Sequence, residues 1–215
     1  MAVALPKSRP WNGVRRYVVF GFAAAAIVLS SGVAWAFVTD NLVPIHGGPL
    51  EYCKQGSPGD QPIACQTDNA QIYYFMQSSL EQRDKDVVTH VLNTQYAPTV
   101  LDTHYDGTPK YDGSGETDII YQEAPVPGSD DGFTWCNDPT HDFGCDQQYV
   151  RIAGGGEYTN GLTCHETGHA VGLVHGQLAN PPVSNQLTAL RCMRKTVAPD
   201  DILGQNNFEN IQGTY

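Results

Sequence analysis

The chain has 215 residues, of which 40% are hydrophobic and 16% are charged, and its net charge is −11. This length and composition predict one globular domain with a core of its own. So acidic a chain offers no diffuse basic surface, which excludes nucleic acid and anionic membrane surfaces as expected partners.

The first 36 residues have the organisation of a secretory signal peptide. An uncharged apolar stretch ends in Ala34-Trp35-Ala36, which offers small residues at the cleavage positions, and it follows the basic residues Lys7, Arg9, Arg15 and Arg16. The alternative is an uncleaved membrane anchor, because the stretch approaches the ~20 residues that cross a bilayer. Either way, residues 37–215 are predicted to lie outside the cell, with 23 acidic against 8 basic residues.

The remaining chain divides into an irregular segment, 37–68, rich in Gly and Pro, and a single domain, 69–215. Within the domain, short aromatic or β-branched runs predict strands, and apolar residues on one helical face predict helices. In chain order, the prediction is a strand at 71–76, a helix at 79–93, a strand at 117–121, a long loop at 125–147, a strand at 149–153, a helix at about 160–172 and a last helix from near 200. These elements predict one α+β domain.

The predicted helix at 160–172 carries a metal-binding pattern, His165-Glu166-Thr167-Gly168-His169. Histidines four residues apart project from one helix face, ~6 Å from each other, so both rings can reach one metal ion. Glu166 lies beside the first ligand, where its carboxylate can contact a metal-bound water without being a ligand itself.

His175 follows in the same pattern but cannot join the other two from a continuous helix. Ten residues of helix would place it ~15 Å along the axis from His165. The helix must therefore end and the chain must turn back. Gly172 supplies that end, since glycine readily adopts the left-handed conformation that terminates helices.

The run H-E-T-G-H-A-V-G-L-V-H resembles the zinc-binding consensus of the metzincin metallopeptidases. This resemblance implies a mixed twisted sheet, an active-site helix and a small C-terminal subdomain with a methionine turn, here Met193, and a final helix. It also implies a zinc endopeptidase with protein or peptide substrates, in which a zinc-bound water attacks the peptide bond and Glu166 serves as general base and acid.

Within the metzincins, the chain is most similar to the matrixins. Its tail, residues 200–215, resembles their C-terminal helix with a small insertion around 205–209. Lys195 stands where astacins and serralysins place a Tyr ligand. The chain departs from matrixins because no Pro-Arg-Cys-Gly propeptide segment is found. Cys53 is an alternative latency thiol, although a disulfide with Cys65 is the favoured reading.

Six cysteines in an exported chain indicate three disulfides, for which 15 pairings exist. The resemblance narrows the choice, since Cys164 precedes the first metal ligand and Cys192 precedes Met193, which would lie beneath the zinc site. It therefore implies the disulfide Cys164–Cys192. The other predicted pairs are Cys136–Cys145, which would close the long loop, and Cys53–Cys65.

Two further questions stay open at the level of sequence. An acidic group in the predicted long loop is a candidate calcium site or simply a solvated loop, and consists of Asp138, His141, Asp142 and Asp146. Two rival functions are an extracellular binding module with a structural zinc ion, and a zinc hydrolase acting on non-peptide substrates. The presence of Glu166 beside three histidines favours the peptidase.

Overall fold

The computed structural model describes residues 38–45, 53, 65–113, 115–128, 130–140, 143–155 and 157–215. The predicted signal peptide or anchor, residues 1–36, lies outside these ranges, as does most of the predicted irregular segment 37–68. Among the helices of the described residues, none has the length and apolar character needed to cross a membrane.

A six-stranded mixed sheet runs through the domain. Five strands are parallel in the order β1-β6-β4-β2-β3, and β5 pairs antiparallel with β6. A mixed sheet with packed helices agrees with the predicted α+β class. The strands are β1 (Gln66–Thr67), β2 (Gln71–Met76), β3 (Asp102–Tyr105), β4 (Ile119–Glu123), β5 (Gly132–Pro139) and β6 (Gly144–Ile152).

Side-chain burial explains why the central strands were visible in the sequence. In β2, Ile72 and Tyr74 are buried while Gln71 and Tyr73 are exposed, which is the alternation of a strand with one covered face. β4 is buried on both faces from Ile119 onward, as expected for a strand in the middle of a parallel sheet. It begins two residues later than predicted.

The predicted long loop at 125–147 is wrong, because this region contains β5 and the first residues of β6. Gly, Asp, Asn and Pro in β5 conceal the strand pattern, and pairing with β6 overrides those local preferences. Across the hairpin, Trp135 stacks on Tyr149 with ring centroids 5.1 Å apart. The disulfide Cys136–Cys145 joins the same two strands, so the predicted pair forms but closes a hairpin.

Within the described residues, three α-helices accompany the sheet: α1 (Gln82–Val91), α2 (Asn160–Ala170) and α3 (Gly204–Thr214). α1 continues into a π-helical turn, Leu92–Tyr96. α3 begins later than the predicted start near residue 200, because Asp201 closes a turn instead. Its carboxylate accepts hydrogen bonds from the backbone N–H of Ala198 at 2.8 Å and from Arg194 at 2.5 Å.

Helix α2 is held in the core on several sides. It contacts β5, β6, α1 and a 3₁₀ turn, Thr188–Met193. The Tyr96 hydroxyl donates to the Cys164 carbonyl at 2.6 Å, and the Tyr121 hydroxyl lies 2.8 Å from Thr167 Oγ1. Both tyrosine side chains are fully buried. The helix that carries the candidate metal ligands is thus fixed to both the sheet and α1.

Candidate metal centre

Helix α2 begins with a side-chain cap and is buried along almost its whole length. Thr159 Oγ1 accepts a hydrogen bond from the Leu162 backbone N–H at 3.2 Å, which satisfies one free donor of the first turn. Residues 161–168 and Ala170 are all buried. This explains why the sequence here has no clear polar face and why the motif, rather than periodicity, marks the element.

The structure brings the three predicted ligands together. The Nε2 atoms of His165, His169 and His175 lie 3.1 Å, 3.2 Å and 3.2 Å from one another. His165 and His169 lie one turn apart on α2, whereas His175 lies beyond the helix end. Nitrogens at this separation can all reach one zinc ion at the usual Zn–N distance of ~2.0–2.1 Å.

Gly172 ends the helix in the way that places His175. Its φ is +94°, in the left-handed region. The Leu173 N–H donates to the Gly168 carbonyl at 2.8 Å, and the Gly172 N–H donates to the His169 carbonyl at 3.1 Å. These two bonds are the pattern of a Schellman C-cap with glycine at the left-handed position. The chain therefore reverses within three residues of the cap and returns His175 to the other two histidines.

In two of the ligands, the ring nitrogen that faces away from the other histidines, Nδ1, is hydrogen-bonded to a backbone carbonyl. His165 Nδ1 lies 2.5 Å from the Cys192 carbonyl oxygen, and His169 Nδ1 lies 2.8 Å from that of Leu173. A carbonyl only accepts, so each Nδ1 carries the proton and each Nε2 presents a lone pair. Several lone pairs directed at one another are unfavourable without a cation between them. The donor set therefore fits a metal ion.

Burial keeps all three rings neutral. It is the largest cause that lowers the pKa of His165 to about 4 and those of His169 and His175 to about 3, and the neighbouring histidines lower them further. A neutral imidazole is the form that binds a metal ion.

The lowered pKa values predict acid sensitivity of the metal-free protein. An unfolded histidine binds a proton below pH 6.5 and these folded ones do not, so stability is present above pH 6.5 and is lost as the pH falls towards 4. Each ring contributes up to about 1.4 kcal/mol per pH unit.

We expect His175→Gln to lessen this loss of stability between pH 6.5 and pH 4.5, measured by urea unfolding in the presence of chelator. His90→Gln, on the exposed side of α1, is the control, and equal slopes in wild type and His175→Gln would contradict the expectation.

The side chain of Glu166 lies against strand β5. The Thr134 hydroxyl donates to Glu166 Oε2 at 2.7 Å, and a β-carbon on Gly132 would lie only 2.5 Å from Oε1. Glu166 is buried, and this burial raises its pKa to about 8, although the Thr134 hydrogen bond acts in the opposite direction. A buried carboxyl group with a pKa near neutrality can both accept and return a proton.

Met193 packs against α2 at Gly168. It is fully buried, and a β-carbon on Gly168 would collide with its Sδ. The glycine between the two helical ligands thus leaves the space that the methionine fills. Beside it, the predicted disulfide Cys164–Cys192 is present and joins α2 to the turn Thr188–Met193. The Cys53–Cys65 disulfide is present as well, so Cys53 is not a free thiol.

One predicted group lies partly outside the described residues, and two residues of this region were not predicted from the sequence. Of the candidate calcium group, His141 and Asp142 lie outside the described residues, so calcium binding stays a prediction. Sequence reasoning missed Thr134, because it lies in the region predicted as a loop. It also missed Asn41 in the N-terminal segment, whose single polar side chain carries no motif. A Thr two residues after Gly132 would have drawn notice only if β5 had been recognised.

No protein-family model and no curated protein matches the sequence. Among solved structures, the chain is similar to high choriolytic enzyme 1, a hatching enzyme zinc-protease from the medaka fish Oryzias latipes, at 19% identity over 57% of this chain and 55% of that one, with a TM-score of 0.34. It is also similar to myroilysin, at 14% identity over 64% and 56% with a TM-score of 0.35. A third is metalloproteinase-II from Bacteroides fragilis, at 12% identity over 78% and 60% with a TM-score of 0.39. The chain thus spans less than two thirds of the length of each, and similarity this weak carries no functional assignment.

Proposed function

We propose that the protein is a secreted zinc metalloendopeptidase of the metzincin type. The observation that carries the proposal is the convergence of His165, His169 and His175 Nε2 atoms within 3.1–3.2 Å, next to the buried carboxyl group of Glu166. Within the described residues, no fourth His, Cys, Asp or Glu joins this group. Three protein ligands leave a position open for water and substrate, whereas structural zinc sites usually fill all four.

In the proposed reaction, the three histidines would hold a zinc ion, which would supply a Lewis acid for making water more acidic and polarising a carbonyl group. Glu166 accepts the proton of the attacking water on its carboxylate and returns it to the leaving amine. The Thr134 hydroxyl holds Oε2, so the carboxylate keeps one orientation while it is charged. The two carbonyls at Cys192 and Leu173 hold His165 and His169 in the tautomer that presents Nε2.

The position of β5 supports a peptide as the substrate. β5 pairs with β6 along one edge, and no other described strand pairs with its second edge. An extended peptide can add to such an edge through backbone hydrogen bonds. Because Gly132 and Thr134 of the same strand contact Glu166, a peptide bound there would have its backbone close to the proposed base. This favours a peptidase over a zinc hydrolase for other substrates.

Secretion is part of the proposal. All six cysteines are paired in three disulfides, which form and persist in oxidising compartments. The signal-peptide pattern at residues 1–36 points the same way, with an anchored form as the alternative. Assignment to the matrixin branch stays a prediction, resting on the tail sequence and on Lys195.

Casein hydrolysis with and without a chelator tests the proposed function. We expect the purified protein to cleave casein, to lose this activity on dialysis against EDTA, and to regain it when zinc is restored. Glu166→Gln protein, purified in the same way, controls for a contaminating protease. A preparation that binds zinc tightly but cleaves no casein or unstructured peptide would favour the structural-zinc or non-peptide alternatives.

A further inference from the structure

The N-terminal segment 38–45 lies between the loop that carries His175 and helix α3, and bonds to both. We infer that Asn41 in this segment is a positioning residue for the third metal ligand, His175. The inference rests on the proposed metal centre. It adds to that centre a residue that lies more than 120 positions before His175 in the sequence.

His175 is the ligand whose position depends most on its surroundings. His165 and His169 are held by the hydrogen bonds of α2 and by carbonyl partners on Nδ1. His175 instead lies between the helix cap at Gly172 and the short 3₁₀ turn Gly176–Leu178, with an extended backbone at ψ 157°. A ligand on such a segment needs its backbone fixed by something outside the helix.

The segment 38–45 supplies that support by pairing with the residues on both sides of His175. The Val174 N–H donates to the Asn41 carbonyl at 2.8 Å, and the Val43 N–H donates to the Gly172 carbonyl at 3.0 Å. Further along, Asp40 and Asn180 exchange two backbone bonds of 2.9 Å and 2.8 Å. These bonds form two isolated antiparallel bridges, Leu42 with Leu173 before His175 and Asp40 with Asn180 after it.

The Asn41 side chain adds a bond at the residue next to the ligand. Its Nδ2 donates to the Val174 carbonyl at 3.0 Å. Backbone and side chain of Asn41 therefore engage both the N–H and the C=O of Val174, so the peptide unit that leads into His175 is bonded at its carbonyl oxygen. An aspartate at position 41 could not make the side-chain bond, because an ionised carboxylate only accepts.

Helix α3 fixes the Asn41 side chain from the opposite side. Asn41 Nδ2 also donates to Asn207 Oδ1 at 3.1 Å, and Asn41 Oδ1 accepts from Nδ2 of Asn206 at 3.0 Å and of Asn210 at 2.6 Å. All four hydrogen-bonding positions of this amide are therefore used, and the residue is fully buried. Asn206 and Asn207 belong to the part of the tail that resembles an insertion, which gives those residues a physical role.

Zinc affinity tests the inference, with Asn41→Ala compared against Gln147→Ala. Gln147 is a matched control because it is also fully buried and its amide donates to two backbone carbonyls, those of Lys110 and Thr117, away from the metal centre. We expect Asn41→Ala to weaken zinc binding by about 10–100-fold in chelator competition, and Gln147→Ala to leave it within about twofold. Unfolding midpoints of both variants show whether their losses of stability are comparable.

Cobalt(II) substitution gives a readout that a general loss of stability would not change. A displaced His175 alters the ligand field, so the visible absorption of the cobalt form should shift in Asn41→Ala and stay unchanged in Gln147→Ala. Asn41→Asp keeps the two hydrogen bonds that the side chain accepts from α3 and removes the two that it donates. It replaces Asn41→Ala in both measurements if the alanine variant does not fold. In the wild type, zinc should slow hydrogen exchange in residues 38–45, because coupling between the segment and the ligand is reciprocal.

The inference is overturned if Asn41 variants bind zinc as tightly as the wild type, if Gln147→Ala loses as much affinity as Asn41→Ala, or if zinc leaves exchange in residues 38–45 unchanged. Failure of the proposed function looks different: the wild type would then bind no zinc or cleave no peptide. A wild type that binds zinc and cleaves casein, together with an Asn41→Ala protein of equal affinity, would reject only the role of Asn41.

Discussion

Glu166→Gln is expected to lower kcat for casein-derived peptides by roughly 10²–10⁴-fold while the zinc content stays unchanged. Glutamine keeps the size of the side chain and can still accept the Thr134 hydrogen bond. It cannot take a proton from water at neutral pH. The effect should therefore fall on kcat, and chelator competition should give the same zinc affinity as the wild type.

Two comparisons make this result specific to the proton-transfer role. Thr134→Val removes the hydroxyl that holds Oε2 and leaves the carboxyl group, so its loss of kcat should be much smaller than that of Glu166→Gln. A Glu166→Gln protein that retains more than a tenth of wild-type kcat would exclude Glu166 as the base. Loss of zinc from this variant would show instead that the substitution disturbs the ligands.

Replacing Cys164 and Cys192 by alanine is expected to lower the free energy of unfolding by about 3–4 kcal/mol and to weaken zinc binding as well. The two cysteines are 28 positions apart, and a crosslink over such a loop restricts the unfolded chain strongly. The zinc effect has a separate cause. The Cys192 carbonyl accepts from His165 Nδ1 at 2.5 Å, and the disulfide holds that carbonyl against α2.

The double replacement of Cys136 and Cys145 is the matched control. These cysteines are 9 positions apart in the sequence, so the same loop-length reasoning gives a loss of about 3 kcal/mol in the free energy of unfolding. This disulfide joins β5 to β6 and bonds none of the three histidines, so zinc affinity should stay near the wild-type value. Urea unfolding and chelator competition measure the two quantities. Equal zinc affinity in both double variants would contradict a role of Cys164–Cys192 at the metal centre.

The candidate site could be predicted from the sequence largely because it depends on short-range geometry. A spacing of four puts His165 and His169 on one helix face, and a glycine at position 172 allows the Schellman cap that returns His175. The disulfide Cys164–Cys192 was implied by the metzincin resemblance, which places Met193, next to Cys192, beneath the ligand next to Cys164. In each case the relevant residues lie within a few positions of the motif or of Met193.

The parts that could not be predicted depend on pairing between distant segments. β5 contains Gly132, Asp138 and Pro139, and becomes a strand only against β6. With β5 unrecognised, Thr134 had no reason to be placed at Glu166. Asn41 is a single asparagine in an irregular segment, and its role becomes visible only when α3 and the His175 loop are both placed. Propensity and spacing hold no information on such contacts.

The asparagine contacts of α3 also bear on the order in which the domain can be completed during synthesis. Asn206 and Asn210 bond to residues 39 and 41 across 165–171 positions of sequence. The chain leaves the ribosome from its N-terminus, so segment 38–45 is made well before its partners on α3. A nascent chain can already contain all three histidines and still lack the α3 contacts that fix the Asn41 side chain. The centre is therefore completed only after α3 has emerged.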